Sequence, residues 1–309
     1  MTTALITHPA CLQHETPPGH PEHVGRLKAV LAGLEGSDFG DLLREEAPRA
    51  EKAMIARVHD PDFVDEVLDS IPASGYAAFD SDTIASPGTG EAILRAAGAV
   101  VHGVDMVMAG EVKNAFCAVR PPGHHATPDR AMGFCFFNSV AIGAAHARAA
   151  HGLTRVAVID FDVHHGNGTQ DMFTGNPDLF YASTHQSPLY PGTGRRDETG
   201  VAHNIVNAPL PPGAGGPEFR RAFERDILPA LARFAPEFII VSAGFDAHRD
   251  DPLAQLRLTE SDFAWATQAL CAVAKDACNS RVVSALEGGY DLDATAASAA
   301  AHVRALMAA

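Results

Sequence analysis

The sequence predicts an α/β fold, a single domain built on an open parallel sheet flanked by helices. Three observations carry this. Short apolar runs, mostly without polar alternation, recur along the chain and read as strands buried on both faces. Longer helical patterns separate them, and such alternation calls for a parallel sheet with helices on both sides. Polar, chemistry-bearing residues follow the apolar runs, at the carboxyl edge where open α/β sheets bind ligands.

The strand candidates are 115–119 (AFCAV), 155–160 (RVAVID), 179–183 (LFYAS), 238–242 (FIIVS) and 282–286 (VVSAL). Each is compact and rich in β-branched or aromatic residues. Helices are expected at 90–108, 139–151, 217–234, 260–278 and 293–307. Ser261 with Asp262, and Asp291 with Asp293, offer capping groups near the last two starts. The segments Pro121-Pro122-Gly123 and Pro211-Pro212-Gly213 read as loops inside one domain rather than boundaries, so residues 1–309 are expected to form one unit.

Composition narrows the function classes. The 309 residues are 46% hydrophobic and 20% charged, enough for a sizeable core and unlike a disordered chain. The formal charge of −15 argues against binding the polyanionic backbone of nucleic acid, and otherwise reads as solubility. Cys11, Cys117, Cys135, Cys271 and Cys278 are odd in number and form no CxxC, so reduced core thiols are expected and a cysteine-type zinc site is not. The N-terminal segment lacks the basic start and apolar centre of a signal peptide, and no uncharged apolar run reaches the ~20 residues that cross a bilayer. A cytoplasmic protein without membrane or nucleic-acid partners is expected; nothing in the sequence indicates its oligomeric state. The outlier is sixteen histidines, because imidazole serves metals and proton transfer.

These histidines fall where a ligand edge is expected. His124-His125 follow the first strand candidate; Asp160, Asp162, His164 and His165 close the second; Ser183, Thr184 and His185 close the third. Asp246 follows the fourth and Glu287-Gly288-Gly289-Tyr290 the fifth. Asp162-x-His164 places a carboxylate and an imidazole on one face of an extended chain, and Asp246 supplies a third ligand. Three N/O ligands with an open position make a catalytic zinc site. Asp160 and His165 are rival ligands that spacing does not exclude. A turn capped by Asp160 and Asp162 would explain the carboxylates but not the two histidines beside them. His124 and His125, unremarkable alone, become acid–base candidates beside a metal. Tyr290, which alone would read as a core tyrosine, follows two glycines that permit close substrate approach, and its phenol can donate to an oxyanion.

The blocks RPPGHHA (120–126), GFCFFN (133–138), VIDFDVHHGNGTQDMF (158–173), STHQSPLYPGTG (183–194), SAGFDAHRDDPL (242–253) and EGGY (287–290) resemble the zinc-dependent histone deacetylase family. The likeness runs in order from about His20 to Tyr290 and is nearest to the class II deacetylases and bacterial deacetylase-like amidohydrolases. It implies an arginase-like open α/β sheet. It also implies that Asp162, His164 and Asp246 hold one catalytic Zn2+, that His125 is the general base and acid, and that His124 is its electrostatic partner. Asp160 and Asn167 match groups that orient His124 and His125; some members carry aspartate in place of Asn167. Tyr290 matches the oxyanion-stabilising tyrosine. Phe134 and Tyr190, with Gly133 and Gly288, match the walls of an acyl-lysine tunnel, which Tyr190 makes more polar than the phenylalanine of many relatives. Arg26 matches an arginine in a cavity below the metal, suggested to help acetate leave. A K+ ion is implied at Asp160, Ser183 and Thr184, with the backbone of Asp162 and His164.

The resemblance therefore implies hydrolysis of N-acetyl amides, acetyl-lysine in peptides or proteins foremost, to acetate and free amine. An acetylpolyamine amidohydrolase is the alternative. Polyamine-selective members place glutamate at the tunnel mouth, seven residues after the third ligand, where this chain has Leu253. Ser81 and Asp82 are loop candidates for binding a substrate backbone or amine. A two-manganese ureohydrolase would need further bridging carboxylates. A non-catalytic reader of acetylated ligands would have lost one of the catalytic parts, all of which are present.

Overall fold

In the computed structural model, which describes residues 2–309, eight strands pair in parallel in the order β2-β1-β5-β10-β9-β6-β7-β8. The strands are β1 (Thr3–Thr7), β2 (Leu43–Glu46), β5 (Asn114–Cys117), β6 (Val156–Asp160), β7 (Leu179–Gln186), β8 (Ile205–Leu210), β9 (Phe238–Ala243) and β10 (Val282–Leu286). A small antiparallel pair, β3 (Ala77–Ala78) and β4 (Ile84–Ala85), stands apart. The strands expected from apolar runs are the five central ones, buried along their whole length. The three unexpected strands of this sheet lie at or near its edges, and the short β3–β4 pair was not expected either. Edge strands tolerate charge and proline, and β2 reads LREE while β8 carries Pro209.

Helices cover both faces. They are α1 (Gly25–Gly33), α2 (Lys52–Ile55), α3 (Pro61–Asp69), α4 (Thr89–Ala109), α5 (Ser139–His151), α6 (Asn167–Thr174), α7 (Gly216–Ala222), α8 (Leu228–Phe234), α9 (Glu260–Cys278) and α10 (Leu292–Ala308). One face is covered by α4 and α5, the other by α1, α9 and α10. By length and composition α4 could cross a membrane; here it packs on β1, β5, β10 and α5. The single helix expected over 217–234 is interrupted by a π turn at Phe223–Ile227. Pro229 lacks the N–H that would continue the ladder. Asp291 caps α10 as expected, whereas α9 is capped by Thr259, which forms a capping box with Asp262; Ser261 is not the cap.

The connectivity places the site. From β6 the chain moves outward through β7 to β8, then returns to the other side of β6 as β9 and continues to β10. Strand order therefore reverses between β6 and β9, and a crevice opens at their carboxyl ends. Asp160 and Ser242 are register partners across that reversal. The loops that follow them carry Asp162, His164 and Asp246 into the crevice.

Candidate active site

Each strand end contributes a different group. After β6 the chain leaves extended geometry, and Asp162 and His164 lie in a bend. His164 Nδ1 sits 3.1 Å from Asp162 Oδ1 and 3.1 Å from Asp246 Oδ2. All three residues are buried, and their ligand atoms lie within 4.8 Å of one another. Each carboxylate is also held by backbone: Val163 N–H donates to Asp246 Oδ1 (2.8 Å), and His164 and Gly288 N–H donate to Asp162 (2.8 Å each). Gly288 is required by this packing, because a Cβ there would lie 2.1 Å from Asp246 Oδ2.

The cluster calls for a positive charge, which the His164 proton supplies here and a cation bound in its place would supply. Burial opposes a charge on His164, yet the bonds to Asp162 and Asp246 outweigh it and raise its pKa to about 10. Asp246 is pushed up to about 7 by burial and by the Asp162 carboxylate beside it. Two buried carboxylates this close repel unless positive charge lies between them. Two oxygens and one imidazole nitrogen are the donor set that suits a zinc-like ion.

The rival ligands take other partners. His165 faces away: Thr193 Oγ1 lies 2.7 Å from its Nδ1 and Gln170 Oε1 2.9 Å from its Nε2. Asp160 accepts from the Tyr181 hydroxyl (3.1 Å) and the Asp162 N–H (3.1 Å), and its Oδ2 lies 2.9 Å from His124 Nδ1. It sits beside the ligand cluster rather than in it.

The two adjacent histidines are held differently. Burial opposes a charge on His124, but Asp162 and then Asp160 raise its pKa well above the usual imidazole range. His125 Nδ1 lies 2.8 Å from Asn167 Oδ1. The Asn167 amide nitrogen donates to His125 O (3.3 Å) and Met132 Sδ (3.5 Å), which fixes the amide with its oxygen toward the ring. His125 therefore carries its proton on Nδ1 and turns the Nε2 lone pair toward the cavity. Burial, followed by the His124 and His164 charges, holds its pKa well below the ordinary value.

A cavity of about 240 Å³ leads to this floor, lined by Asp82, His125, Gly133, Phe134, His164, Leu189, Tyr190, Leu253 and Tyr290. Tyr190 packs edge-on against His125 (5.1 Å between centroids), and Phe134 against Tyr290 (5.9 Å). Gly133 has φ +57°, and a Cβ there would meet His125 Cδ2 at 2.6 Å. Burial raises the Tyr290 phenol well above its ordinary pKa despite the Arg26 guanidinium 4.7 Å from its ring centroid. Arg26 is fully buried and donates to Gly289 O, Glu287 O and Glu22. Ser183 is the register partner of Asp160, and Thr184 is buried beside it. Ser81 is exposed and does not line the cavity.

Two residues of the site were not singled out in the sequence. Glu287 Oε2 accepts from the Gly123 and His124 N–H groups (2.6 and 3.2 Å), so it fixes the loop bearing both histidines. Leu189 was a loop residue with no chemical signal, whereas Glu287 stood visibly beside Gly288.

Comparisons with known proteins give the family. The family described as Histone deacetylase domain matches residues 20–306. The Arabidopsis thaliana protein named Histone deacetylase 14, chloroplastic, is 41% identical over 93% of this chain and 73% of its own length. The Histone deacetylase-like amidohydrolase of Pseudomonas aeruginosa is 39% identical over 87% of this chain and 71% of its own. The crystal structure of the HDA15 HD domain is similar at TM-score 0.94 and 37% identity, covering 99% of this chain and 88% of that one. The chain therefore belongs to the histone deacetylase family and is a hydrolase that removes acetyl groups from acetylated substrates.

Proposed function

We propose that this deacetylase acts on acetyl-lysine side chains of peptides or proteins, with one zinc ion held by Asp162, His164 and Asp246 and the whole chain as its catalytic domain. The observation that carries the reading is the cavity of about 240 Å³ lined by Phe134, Tyr190 and Leu253 together with His125, His164 and Tyr290. Such a cavity admits a long unbranched side chain and brings its terminal amide to the ligand cluster.

Zinc, when bound, supplies Lewis-acid polarisation of the amide carbonyl and acidifies the attacking water. The chain's own groups do the rest. His125 Nε2 accepts the water proton while Asn167 holds Nδ1–H. Tyr290, still a phenol at neutral pH, donates to the oxygen that gains charge. When the C–N bond breaks, His125 returns its proton to the leaving nitrogen, giving acetate and a free amine. His124, kept cationic by Asp162 and Asp160, holds His125 neutral and ready to accept. Arg26 beneath Tyr290 supplies positive charge toward which acetate departs. The same reading assigns K+ to Asp160, Ser183 and Thr184, with backbone oxygens of Asp162 and His164.

Small acetylated amines are the second reading, and Asp82 is the observation that favours it, since its carboxylate lines the mouth. Turnover of acetyl-lysine peptides against acetylated polyamines, on zinc-loaded enzyme with potassium present, decides between them. A higher kcat/KM for the peptides supports the first reading; a tenfold preference for acetylpolyamines, about 1.4 kcal/mol in the transition state, overturns it.

A further inference from the structure

A second set of metal-ligating side chains meets at the opposite edge of the sheet. Asp105 lies toward the C-terminal end of α4, and His146 and His151 lie on α5. Both helices end where the chain enters a strand, so the cluster belongs to the amino edge, away from the crevice. The Nε2 atoms of His146 and His151 each lie 2.7 Å from the same Asp105 Oδ1. The two rings meet at 77° with centroids 5.7 Å apart, so two edges converge on one point. The candidate ligand atoms lie within 4.8 Å of one another, as they do in the catalytic cluster. His146 is anchored with 6% of its side chain exposed, while His151 (24%) and Asp105 (46%) leave the cluster open on one side.

We propose that Asp105, His146 and His151 form a second, non-catalytic site for a first-row divalent transition ion, Zn2+ foremost, clamping α4 to α5. Two imidazoles and a carboxylate suit such ions, and the open side leaves room for water to complete the coordination. Arg57 sets the affinity. Its Nη1 lies 3.0 Å from His146 Nδ1, and a guanidinium can only donate. While that bond stands, His146 keeps its proton on Nε2, directed at Asp105. Metal binding needs the Nε2 lone pair and moves the proton to Nδ1, so Arg57 must turn away. Its side chain is exposed and free to do so. The cluster thus alternates between a hydrogen-bonded bridge and a metal clamp, with Arg57 favouring the bridge.

The test uses enzyme already carrying one zinc per chain, titrated with Zn2+ by calorimetry and checked by elemental analysis. The wild type takes up a second equivalent and its melting temperature rises. The His146→Ala/His151→Ala variant stays at one equivalent with unchanged turnover, and His151→Ala alone, at the exposed end of α5, loses most of the affinity. Arg57→Glu places an acceptor opposite Nδ1–H and tightens the second site by about tenfold or more, the range for such outer partners. Uptake that stops at one equivalent in the wild type overturns the proposal. So does a second equivalent that persists in the double variant, or an Arg57→Glu variant that binds more weakly.

Discussion

The floor of the tunnel and its mouth are built on different terms. On the floor nearly every polar side chain is buried and doubly held. Asp162 and Asp246 take backbone N–H groups, His124 takes Asp160, His125 takes Asn167, and Glu287 grips the loop that bears both histidines. Buried charge demands such partners, since an unpaired one costs several kcal/mol or more. At the mouth Tyr190 is 40% exposed, Asp82 and Leu253 are half-buried, and all three sit outside the main sheet and helices. Side chains there can change without leaving a buried group unpaired. On the proposed reading the floor sets the chemistry and the mouth selects the substrate.

Substitutions on the floor should be the most damaging. On the proposed reading Asp246→Ala removes a ligand, so zinc content should fall and turnover drop below detection. Unchanged zinc by elemental analysis would take Asp246 out of the site. His125→Ala should keep its zinc yet lose about 10²–10⁴-fold in kcat, the range for a positioned acid–base group. Near-native turnover would hand the role to His124. For Tyr290→Phe the expected loss is about 10²–10³-fold, concentrated in kcat because the hydroxyl matters most as charge develops on oxygen. A change confined to KM would break that assignment.

The same division governs what could be read from the sequence. The floor was legible because its chemistry is dense and sits at strand ends: the aspartates and histidines after β6, Asp246 after β9 and Tyr290 after β10. Spacing left Asp160 and His165 open as ligands; the family resemblance passed over both, and the fold turns His165 toward Thr193 and Gln170. Glu287 was visible but unread, because its partners are backbone N–H groups of a loop distant in sequence. Apolar runs disclosed the five central strands, whose environment is uniform. They missed the edge strands β2 and β8, which admit polar residues and proline, and β1 beside β2, which is buried but only five residues long. The mouth was least legible: Ser81 and Asp82 were paired as candidates, yet only Asp82 lines the cavity.

Leu253 offers a way to sharpen the contrast. It lines the mouth, and its N–H is held by Asp251 Oδ1 at 2.9 Å, which keeps the backbone in place when the side chain changes. Leu253→Glu should leave zinc content intact and shift the ratio of kcat/KM values toward acetylpolyamines by about tenfold, or 1.4 kcal/mol. An equal loss on both substrate classes would mean that the mouth carries part of the chemistry.

Asp82 should give the smallest effect, visible only against pH. Its pKa is raised to about 6, first by burial and then by Asp80. Asp80 takes the better share of donors, accepting the N–H groups of Asp82 (2.9 Å) and Thr83 (3.0 Å). The Thr83 hydroxyl donates to Asp82 Oδ1 at a longer 3.3 Å, and the cation of His20, when formed, works the other way. Burial opposes the Asp80 charge, but the bonds from Asp82 and Thr83 outweigh it and hold its pKa below the ordinary value, so its charge persists as Asp82 titrates. A raised carboxyl pKa means that Asp82 is ionised above about pH 6 and neutral below it. If the carboxylate accepts a substrate N–H at the mouth, KM for acetyl-lysine peptides should rise a few-fold as pH falls through that value, with kcat following its own course. Asp82→Asn keeps the size and removes the charge, so its KM should already be raised at pH 7.5 and show no step near 6. A step that survives in the asparagine variant belongs to the floor, and would show that the mouth is not where the substrate backbone is held.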